Sequence, residues 1–250
     1  FVHGFRFTSK TPFIKASFFK LVEKILSFNT KIFITINSED FNYAKKNLFN
    51  KVPIYKINGV GLDTIKSKNL KFKLKNTIKK IIVIAVYKKS KGYIDILKVA
   101  ELLDKKKFKI DCFGYGENKK FQSIKKKKKL SNISFKKFDV NLKNKIKNYD
   151  LMLHLSKREG LPVSVMQCLK EGVPVICYDI RGINDLIKDQ FNGFFVNNYK
   201  EVPNKILYLT LEKNIFNKIR FQALNSISKN YSKKEINKTI YKIIRKNFKK

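Results

Sequence analysis

Cysteine, histidine and tryptophan are scarce in this sequence, and their scarcity removes several classes of protein. The 250 residues contain three cysteines, two histidines and no tryptophan. Cys112, Cys168 and Cys177 lack the spacing of metal ligands, and each lies in an apolar run. We therefore predict buried, reduced thiols rather than a disulfide framework or a metal site, which fits a cytoplasmic protein.

Long hydrophobic runs are also absent. The longest, at residues 81–87, is far too short to cross a bilayer, while a hydrophobic content of 43% indicates a globular chain. No signal peptide is visible, and the sequence begins with Phe1 rather than methionine. Because residues 1–4 resemble the end of a buried strand, we expect that the N-terminal part of the protein is missing from this chain.

Acidic residues and arginine are few. Lysine and arginine total 56 against 19 acidic residues, a formal net charge of +37, yet only five of the basic residues are arginine. Specific recognition of phosphates and bases favours the bidentate fork of arginine, so we predict no nucleic-acid partner. Lysine needs no fixed geometry for attraction to anionic lipid. The composition therefore leaves open a peripheral contact with the inner face of a membrane.

What the sequence does contain is a regular alternation of apolar runs with lysine-rich segments of helical periodicity. Strands alternating with helices predict an α/β fold with parallel sheets and helices on both faces. The predicted strands are residues 31–36, 54–57, 80–86, 109–113, 151–155, 173–178 and 193–196. The predicted helices are residues 13–28, 38–48, 92–104, 119–130, 141–147, 163–171, 183–187, 202–210 and 231–249.

A polar, lysine-rich link near residues 65–76 divides the chain. Asn58-Gly59-Val60-Gly61 predicts a turn that ends the first unit, and a new strand begins near Lys80. We predict the C-terminal part of one Rossmann-like domain over residues 1–70, a complete Rossmann-like domain over residues 71–230, and a closing amphipathic helix over residues 231–250.

The most informative stretch is residues 158–167, REGLPVSVMQ, which predicts a tight turn leading into a helix. Pro162 falls in the first helical turn, where proline is tolerated, and Gly160 lets the backbone approach a ligand closely. The free N–H groups at a helix start attract phosphate. The Glu159 carboxylate beside them suits a sugar nucleotide, which offers a diphosphate and many hydroxyl groups.

Together with residues 179–182 and 192–193, this stretch resembles the family-4 retaining glycosyltransferases of the GT-B fold, closest to their bacterial capsule and exopolysaccharide branch. Other segments agree in order along the chain: His3-Gly4-Phe5, residues 34–40, residues 58–63, Lys91-Gly92-Tyr93, Gly114-Tyr115-Gly116 and Tyr231-Ser232. The resemblance implies a donor site in the cleft between two domains, and a closing helix that crosses back to the first domain.

The resemblance also implies the reaction. A hexose or N-acetylhexosamine would move from a UDP-sugar to a polysaccharide or lipid-linked saccharide, with the anomeric configuration kept. It implies no metal and no cofactor beside the nucleotide-sugar donor. Ser38-Glu39-Asp40 is accordingly interpreted as a helix start rather than as a metal-binding acidic pair.

Two positions matched by the resemblance are expected to be catalytic, His3 and Glu159. Glu159 matches the first glutamate of the family's Glu-x7-Glu signature, which accepts hydrogen bonds from hydroxyl groups of the donor sugar. Gln167 falls where the second glutamate, which grips the ribose, belongs. Because an amide has one acceptor oxygen and no charge, we expect nucleotide binding to weaken by roughly 1–2 kcal/mol. His154 is interpreted as a histidine at the edge of the core.

Donor binding is expected from eight positions: Lys91, Gly114, Gly116, Gly160, Leu161, Val163, Gln167 and Arg181. Lys91 matches a diphosphate-binding lysine, and the amides at 160–163 would hold the same diphosphate. Arg181 lies on a loop at the carboxyl end of a strand, where ligands of open α/β sheets gather. The family's arginine a few residues before the lysine is absent from residues 85–89, where Lys88 and Lys89 offer charge without a fork.

Other functions stay open. The two departures from the motif, Gln167 and the absent arginine, also suit an inactive or decaying relative with weak or no nucleotide binding. A nucleic-acid binder would carry arginine–aromatic patches and bind with steep salt dependence. A sugar-nucleotide epimerase shares the fold but should lack the Glu-Gly-Leu-Pro turn.

Overall fold

A computed structural model describes residues 1–9, 11–48, 52–63, 74–227 and 231–248. The N-terminal segment, residues 1–63, contains in chain order α1 (Phe13–Ser27), β1 (Phe33–Thr35), α2 (Ser38–Asn47) and β2 (Ile54–Lys56). β1 and β2 pair in parallel, and Val2 forms an isolated parallel bridge with Thr35. The predicted helix start at Ser38 is confirmed, because the Asn37 side chain caps α2 by accepting a hydrogen bond from the N–H of Asp40.

A six-stranded parallel sheet, with the strand order β5-β4-β3-β6-β7-β8, forms the larger part. Its strands are β3 (Lys80–Ile84), β4 (Lys109–Gly114), β5 (Ile133–Lys137), β6 (Leu151–His154), β7 (Val175–Tyr178) and β8 (Gly193–Val196). The helices are α3 (Tyr93–Leu102), α4 (Lys119–Lys127), α5 (Leu142–Lys145), α6 (Val163–Lys170), α7 (Val202–Leu211), α8 (Lys213–Ile227) and α9 (Lys233–Phe248). Since every strand pair is parallel, the carboxyl ends of the strands share one edge of the sheet.

Apolar clusters cover both faces of this sheet. In β3, Ile81 and Val83 belong to one cluster while Ile82, between them, belongs to the other. Burial on both faces explains why the sequence of β3 is an unbroken apolar run. The cysteines are free and buried, which confirms the prediction of reduced thiols. No helix of the described part of the chain has the length and apolar character needed to cross a membrane.

Helix α9 packs back onto the N-terminal segment. Ser232, just before α9, forms a parallel bridge with Leu62, and near the end of α9 the Nδ2 of Asn247 donates a hydrogen bond to the Tyr55 hydroxyl at 3.1 Å. These contacts bring both ends of α9 against the N-terminal segment. The predicted link falls largely on residues 64–73, which lie outside the described residues.

The predicted strands are confirmed, with ends that differ by at most two residues, but β5 and α8 were not predicted. The strand β5 lies at the edge of the sheet and reads ISFKK, so exposed lysines hide its alternation. The predicted helix at 141–147 is shorter: α5 ends at Lys145, and the chain continues as a 3-10 turn over Ile146–Asn148.

The predicted helix at residues 183–187 is wrong. This segment is a series of turns, in which the N–H groups of Leu186 and Ile187 both donate to the carbonyl of Ile183. The side chain of Asn192 interrupts any further helical bonding, because it donates to the Leu186 carbonyl and accepts from the N–H of Lys188. A side chain that binds backbone groups in this way competes with helix formation.

Candidate functional site

Loops that follow β3 and β6 meet at the carboxyl edge of the sheet and bring together one predicted donor-binding residue and one predicted catalytic residue. Lys91 ends a 3-10 turn, Lys89–Lys91, after β3, and Glu159 follows β6. The Nζ atom of Lys91 lies 2.7 Å from Oε1 of Glu159, in an ion pair whose side chains are 24% and 10% exposed. Residues 68 positions apart in the sequence therefore form one charged site.

His154 completes this site, although it was not among the predicted site residues. Its Nε2 lies 3.1 Å from the same Oε1 of Glu159, and because an ionised carboxylate only accepts hydrogen bonds, the imidazole is the donor. His154 is 4% exposed at the last position of β6. The burial of His154 agrees with the predicted position at the edge of the core, but its hydrogen bond to Glu159 was not predicted. The available signal was its place at the carboxyl end of a central strand, where ligands gather.

Glu159 is held in its ionised form. Burial alone raises the pKa of its carboxyl, but the hydrogen bond and charge of His154, together with the charge and hydrogen bond of Lys91, lower that pKa to about 2. An ionised carboxylate in this setting offers strong acceptor positions to hydroxyl groups.

The turn that carries Glu159 is packed backbone against backbone, which explains its glycines. A Cβ atom on Gly160 would lie 1.9 Å from the carbonyl oxygen of His3, and one on Gly182 would lie 1.7 Å from the carbonyl oxygen of Gly160. Gly182 also has a φ of +75°, which favours glycine. The exposed side chain of His3 is therefore attached to backbone that touches the Glu159 turn.

The exposed flank of α6 faces a cavity of about 390 Å³. Two predicted donor residues, Val163 and Gln167, lie on its wall, together with Leu62 of the N-terminal segment. The remaining lining residues are mostly charged or polar: Gly61, Asp63, Lys143, Asn144, Lys170, Glu171 and Lys233. Leu161 is buried, so its expected role is confined to its backbone.

Arg181 occupies the interior rather than a solvated loop, at 4% exposure. Its Nε donates to the carbonyl of Glu159 at 3.0 Å, and one terminal nitrogen donates to the carbonyl of Phe7 at 2.7 Å and to Asp40 at 3.0 Å. Burial raises the pKa of Asp40, and the charge of Arg181 opposes that rise. These contacts tie the N-terminal segment to the Glu159 turn, and donor contact by Arg181 stays a prediction.

The two glycines after β4 occupy different surroundings. A Cβ on Gly114 would lie 2.0 Å from the carbonyl oxygen of Ala85, whereas Gly116 has open space within 3.8 Å and a φ of +91°. Beside them, the rings of Tyr115 and Phe138 stack with centroids 4.2 Å apart. Gly114 thus permits close packing against the end of β3, and donor binding by the two glycines stays a prediction.

Comparison with known proteins gives a family and a fold. The family model described as Glycosyl transferases group 1 matches residues 65–224. The chain is 28% identical over 208 residues to EpsD of Bacillus subtilis strain 168, which covers 78% of this chain and 55% of EpsD. It is 29% identical over 159 residues to the poly(glycerol-phosphate) alpha-glucosyltransferase of the same strain, covering 60% of this chain and 23% of that enzyme. The chain thus spans about half the length of EpsD, and less of the second relative.

The solved structure of HepE (Alr3699) from Anabaena, in complex with UDP and glucose, superposes with a TM-score of 0.81 at 15% identity. The superposition covers 98% of this chain and 70% of HepE. At that identity the likeness concerns the fold alone. The expected α/β architecture, with a parallel Rossmann-like sheet of the GT-B type, is confirmed.

Proposed function

Since the chain belongs to the group 1 glycosyltransferases, we propose that it binds a UDP-sugar at the carboxyl edge of the six-stranded sheet. The proposed reaction moves a hexose or N-acetylhexosamine to a polysaccharide or lipid-linked saccharide, with the anomeric configuration kept. One observation carries the proposal: the ionised, nearly buried Glu159 before α6, held between Lys91 and His154.

In the proposed complex, Glu159 accepts hydrogen bonds from hydroxyl groups of the donor sugar. The bond between the anomeric carbon and the diphosphate oxygen breaks, and its electron pair stays on the diphosphate. A hydroxyl oxygen of the acceptor bonds the anomeric carbon on the same face of the sugar, and the hydroxyl proton passes to the leaving diphosphate. Negative charge grows on the leaving diphosphate, where Lys91 and the first N–H groups of α6 stabilise it. His3 lies on the backbone that touches Gly160, and we assign its imidazole to the face of the reacting sugar.

We assign the nucleoside to the cavity along α6, lined by Val163 and Gln167. Gln167 Nε2 and Oε1 can each bond a ribose hydroxyl. The relatives support a nucleotide-sugar donor: HepE was solved with UDP and glucose, and the Bacillus enzyme is named for glucosyl transfer to poly(glycerol-phosphate).

A second candidate is a relative that binds nucleotide weakly without turning over a sugar. Gln167 in place of an acid favours it, as does the lack of arginine in residues 85–89. The two candidates differ in one product, because only the enzyme releases sugar from the donor.

The test is incubation of the full chain with UDP-glucose, following UDP and glucose by NMR. We expect slow release of glucose as the α-anomer, because the donor bond is α and the configuration is kept. Glu159→Gln should slow release by about tenfold or more, the effect of losing a charged hydrogen bond. Lys106→Gln, an exposed change in the loop before β4 at the opposite edge of the sheet, is the matched control and should release glucose at the unchanged rate.

Each result has a separate meaning. Release of the β-anomer would overturn retention, and equal rates for wild type and Glu159→Gln would overturn the role of Glu159. UDP binding without any release of glucose would favour the second candidate.

A further inference from the structure

Helix α1 carries more large exposed apolar side chains than any other helix among the described residues. Ile14 is 85% exposed, Phe18 62%, Leu21 58% and Ile25 57%. The adjoining Phe28 is 59% exposed. Monomeric globular proteins rarely expose a contiguous apolar patch of this kind, and such patches mark binding surfaces.

The spacing of these residues makes them one stripe. Steps of four and three residues place side chains on one face of a helix. We call Ile14, Phe18, Leu21, Ile25 and Phe28 the α1 stripe. The other face of α1 packs inward, where the buried Ala16 and the half-buried Phe19 contact the cluster formed around Phe5 and Phe33. The stripe therefore faces away from the core of the N-terminal segment.

Positive charge flanks the α1 stripe. Lys15, Lys20 and Lys24 are exposed, while the helix's acidic residue, Glu23, is half-buried. A helix with an apolar stripe, flanking lysines and little acid on its outer side matches the composition of helices that lie in the interface of anionic membranes.

A second basic helix ends beside this region. The Nζ of Lys31, shortly after the α1 stripe, lies 5.9 Å from the ring centroid of Phe248, the last residue of α9. Tyr241, Ile244 and Phe248 of α9 are 65%, 44% and 49% exposed, and Arg245 and Lys246 lie in its last turn. The apolar and basic character of α1 thus continues towards the end of α9.

We propose that the α1 stripe inserts into the surface of an anionic lipid bilayer, with Lys15, Lys20 and Lys24 on the lipid headgroups. Charge complementarity selects this occupant over a second copy of the chain, because a net charge of +37 opposes self-association and favours an anionic surface. Insertion of the apolar side chains would then bind the protein to the bilayer more strongly than electrostatic attraction alone. The α1 stripe contains none of the residues assigned to the donor site.

The absence of tryptophan gives a direct test, since one introduced indole is the sole tryptophan in the protein. Phe18→Trp reports on the α1 stripe, and Leu211→Trp, at the 69% exposed end of α7, is its matched control. With vesicles of phosphatidylcholine and phosphatidylglycerol, we expect the indole of Phe18→Trp to shift to shorter emission wavelength and to be quenched by brominated acyl chains. Leu211→Trp should show neither change. The same signals from both proteins, or from neither, would overturn the proposal.

Sedimentation with the same vesicles separates insertion from general attraction of lysine. The triple variant Phe18→Ser, Leu21→Ser, Ile25→Ser keeps every charge, and we expect its partition coefficient to fall by about tenfold or more, because its exposed apolar surface is lost. The control Leu102→Ser, Leu207→Ser, Leu211→Ser changes three comparably exposed leucines and should partition like the wild type.

Two outcomes would overturn the proposal in this second experiment. Equal partition of the two triple variants would mean that charge alone holds the protein on the vesicle. A wild-type dimer in light scattering that becomes monomeric in the stripe variant, without vesicle binding by either, would assign the stripe to contact between copies.

Discussion

At the scale of single residues, the central feature is a carboxylate that burial should neutralise but that its neighbours keep charged. Lys91 and His154 approach the same oxygen of Glu159, at 2.7 and 3.1 Å. The pKa of Glu159 falls from its ordinary 4.5 to about 2, so the folded protein holds this proton less tightly than the unfolded chain. The ionised carboxylate therefore adds stability above about pH 4.5, and that contribution disappears as the pH falls towards 2.

This linkage predicts the acid behaviour of Glu159→Gln. Between about pH 6 and about pH 3, the wild type should lose about 2 kcal/mol more unfolding free energy than the variant, which has no proton to take up there. Urea unfolding of both proteins across this range measures the difference. Parallel curves would show that Glu159 has an ordinary pKa in the folded protein.

At Gln167 we predict a substitution that strengthens UDP binding. The amide of Gln167 lines the cavity along α6, where three lysines, Lys143, Lys170 and Lys233, outnumber the two acids, Asp63 and Glu171. Gln167→Glu should tighten UDP binding by about tenfold, since a charged hydrogen bond contributes roughly 1–2 kcal/mol more than a neutral one. Titration with UDP measures the change, and unchanged or weaker binding would remove this cavity as the nucleoside site.

The sequence predicts candidate site residues but not the contacts between them. Glu159, Lys91 and Gln167 stand in a motif whose spacing is visible in the chain. His154 was predicted to lie at the edge of the core, because its apolar neighbours in the sequence give no sign of a contact with Glu159. Arg181 was expected to bind the donor from a loop, whereas its burial depends on Asp40, 141 positions away. Contacts across such separations leave no local pattern.

At the scale of elements, the turn before α6 is fixed by close backbone approach. Gly182 and Gly116 both have positive φ, but only Gly182 faces a carbonyl oxygen, that of Gly160, at a distance a Cβ cannot share. Gly116→Ala should cost about 1 kcal/mol of unfolding free energy, the price of left-handed backbone. Gly182→Ala should cost roughly 2–3 kcal/mol more, because the turn must move.

Thermal or urea unfolding of the two glycine variants provides the comparison. A Gly182→Ala variant no less stable than Gly116→Ala would mean that the Glu159 turn yields easily, and that its position is not set by packing.

Elements themselves were predictable where they are buried on both faces. The strand β5 and the turns at residues 183–187 were not, since an edge position and the side chain of Asn192 decide them.

At the scale of the whole molecule, a buried ion pair connects the N-terminal segment to the large sheet. The side chains of Arg181 and Asp40 are each 2% exposed and 3.0 Å apart, and Asp40 also accepts from the N–H of Phe5. Removing one partner of such a pair leaves a buried charge uncompensated, which costs about 3–5 kcal/mol.

We therefore expect Arg181→Met to lower the unfolding free energy by about that amount, and Arg181→Met with Asp40→Asn to lower it by less than the sum of the single changes. Urea unfolding of the wild type, Arg181→Met, Asp40→Asn and the double variant gives the interaction free energy of the two side chains. Additive costs would mean that the two side chains do not interact, and that other contacts hold the N-terminal segment in place.

The central claim is that Lys91 and Glu159 form a donor site, and calorimetric titration with UDP tests this claim most directly. We predict that the wild type binds UDP, that Lys91→Gln binds about tenfold more weakly because one charged contact to phosphate is lost, and that the exposed control Lys106→Gln binds like the wild type. Equal affinities for wild type and Lys91→Gln, or no heat from the wild type at millimolar UDP, would contradict it.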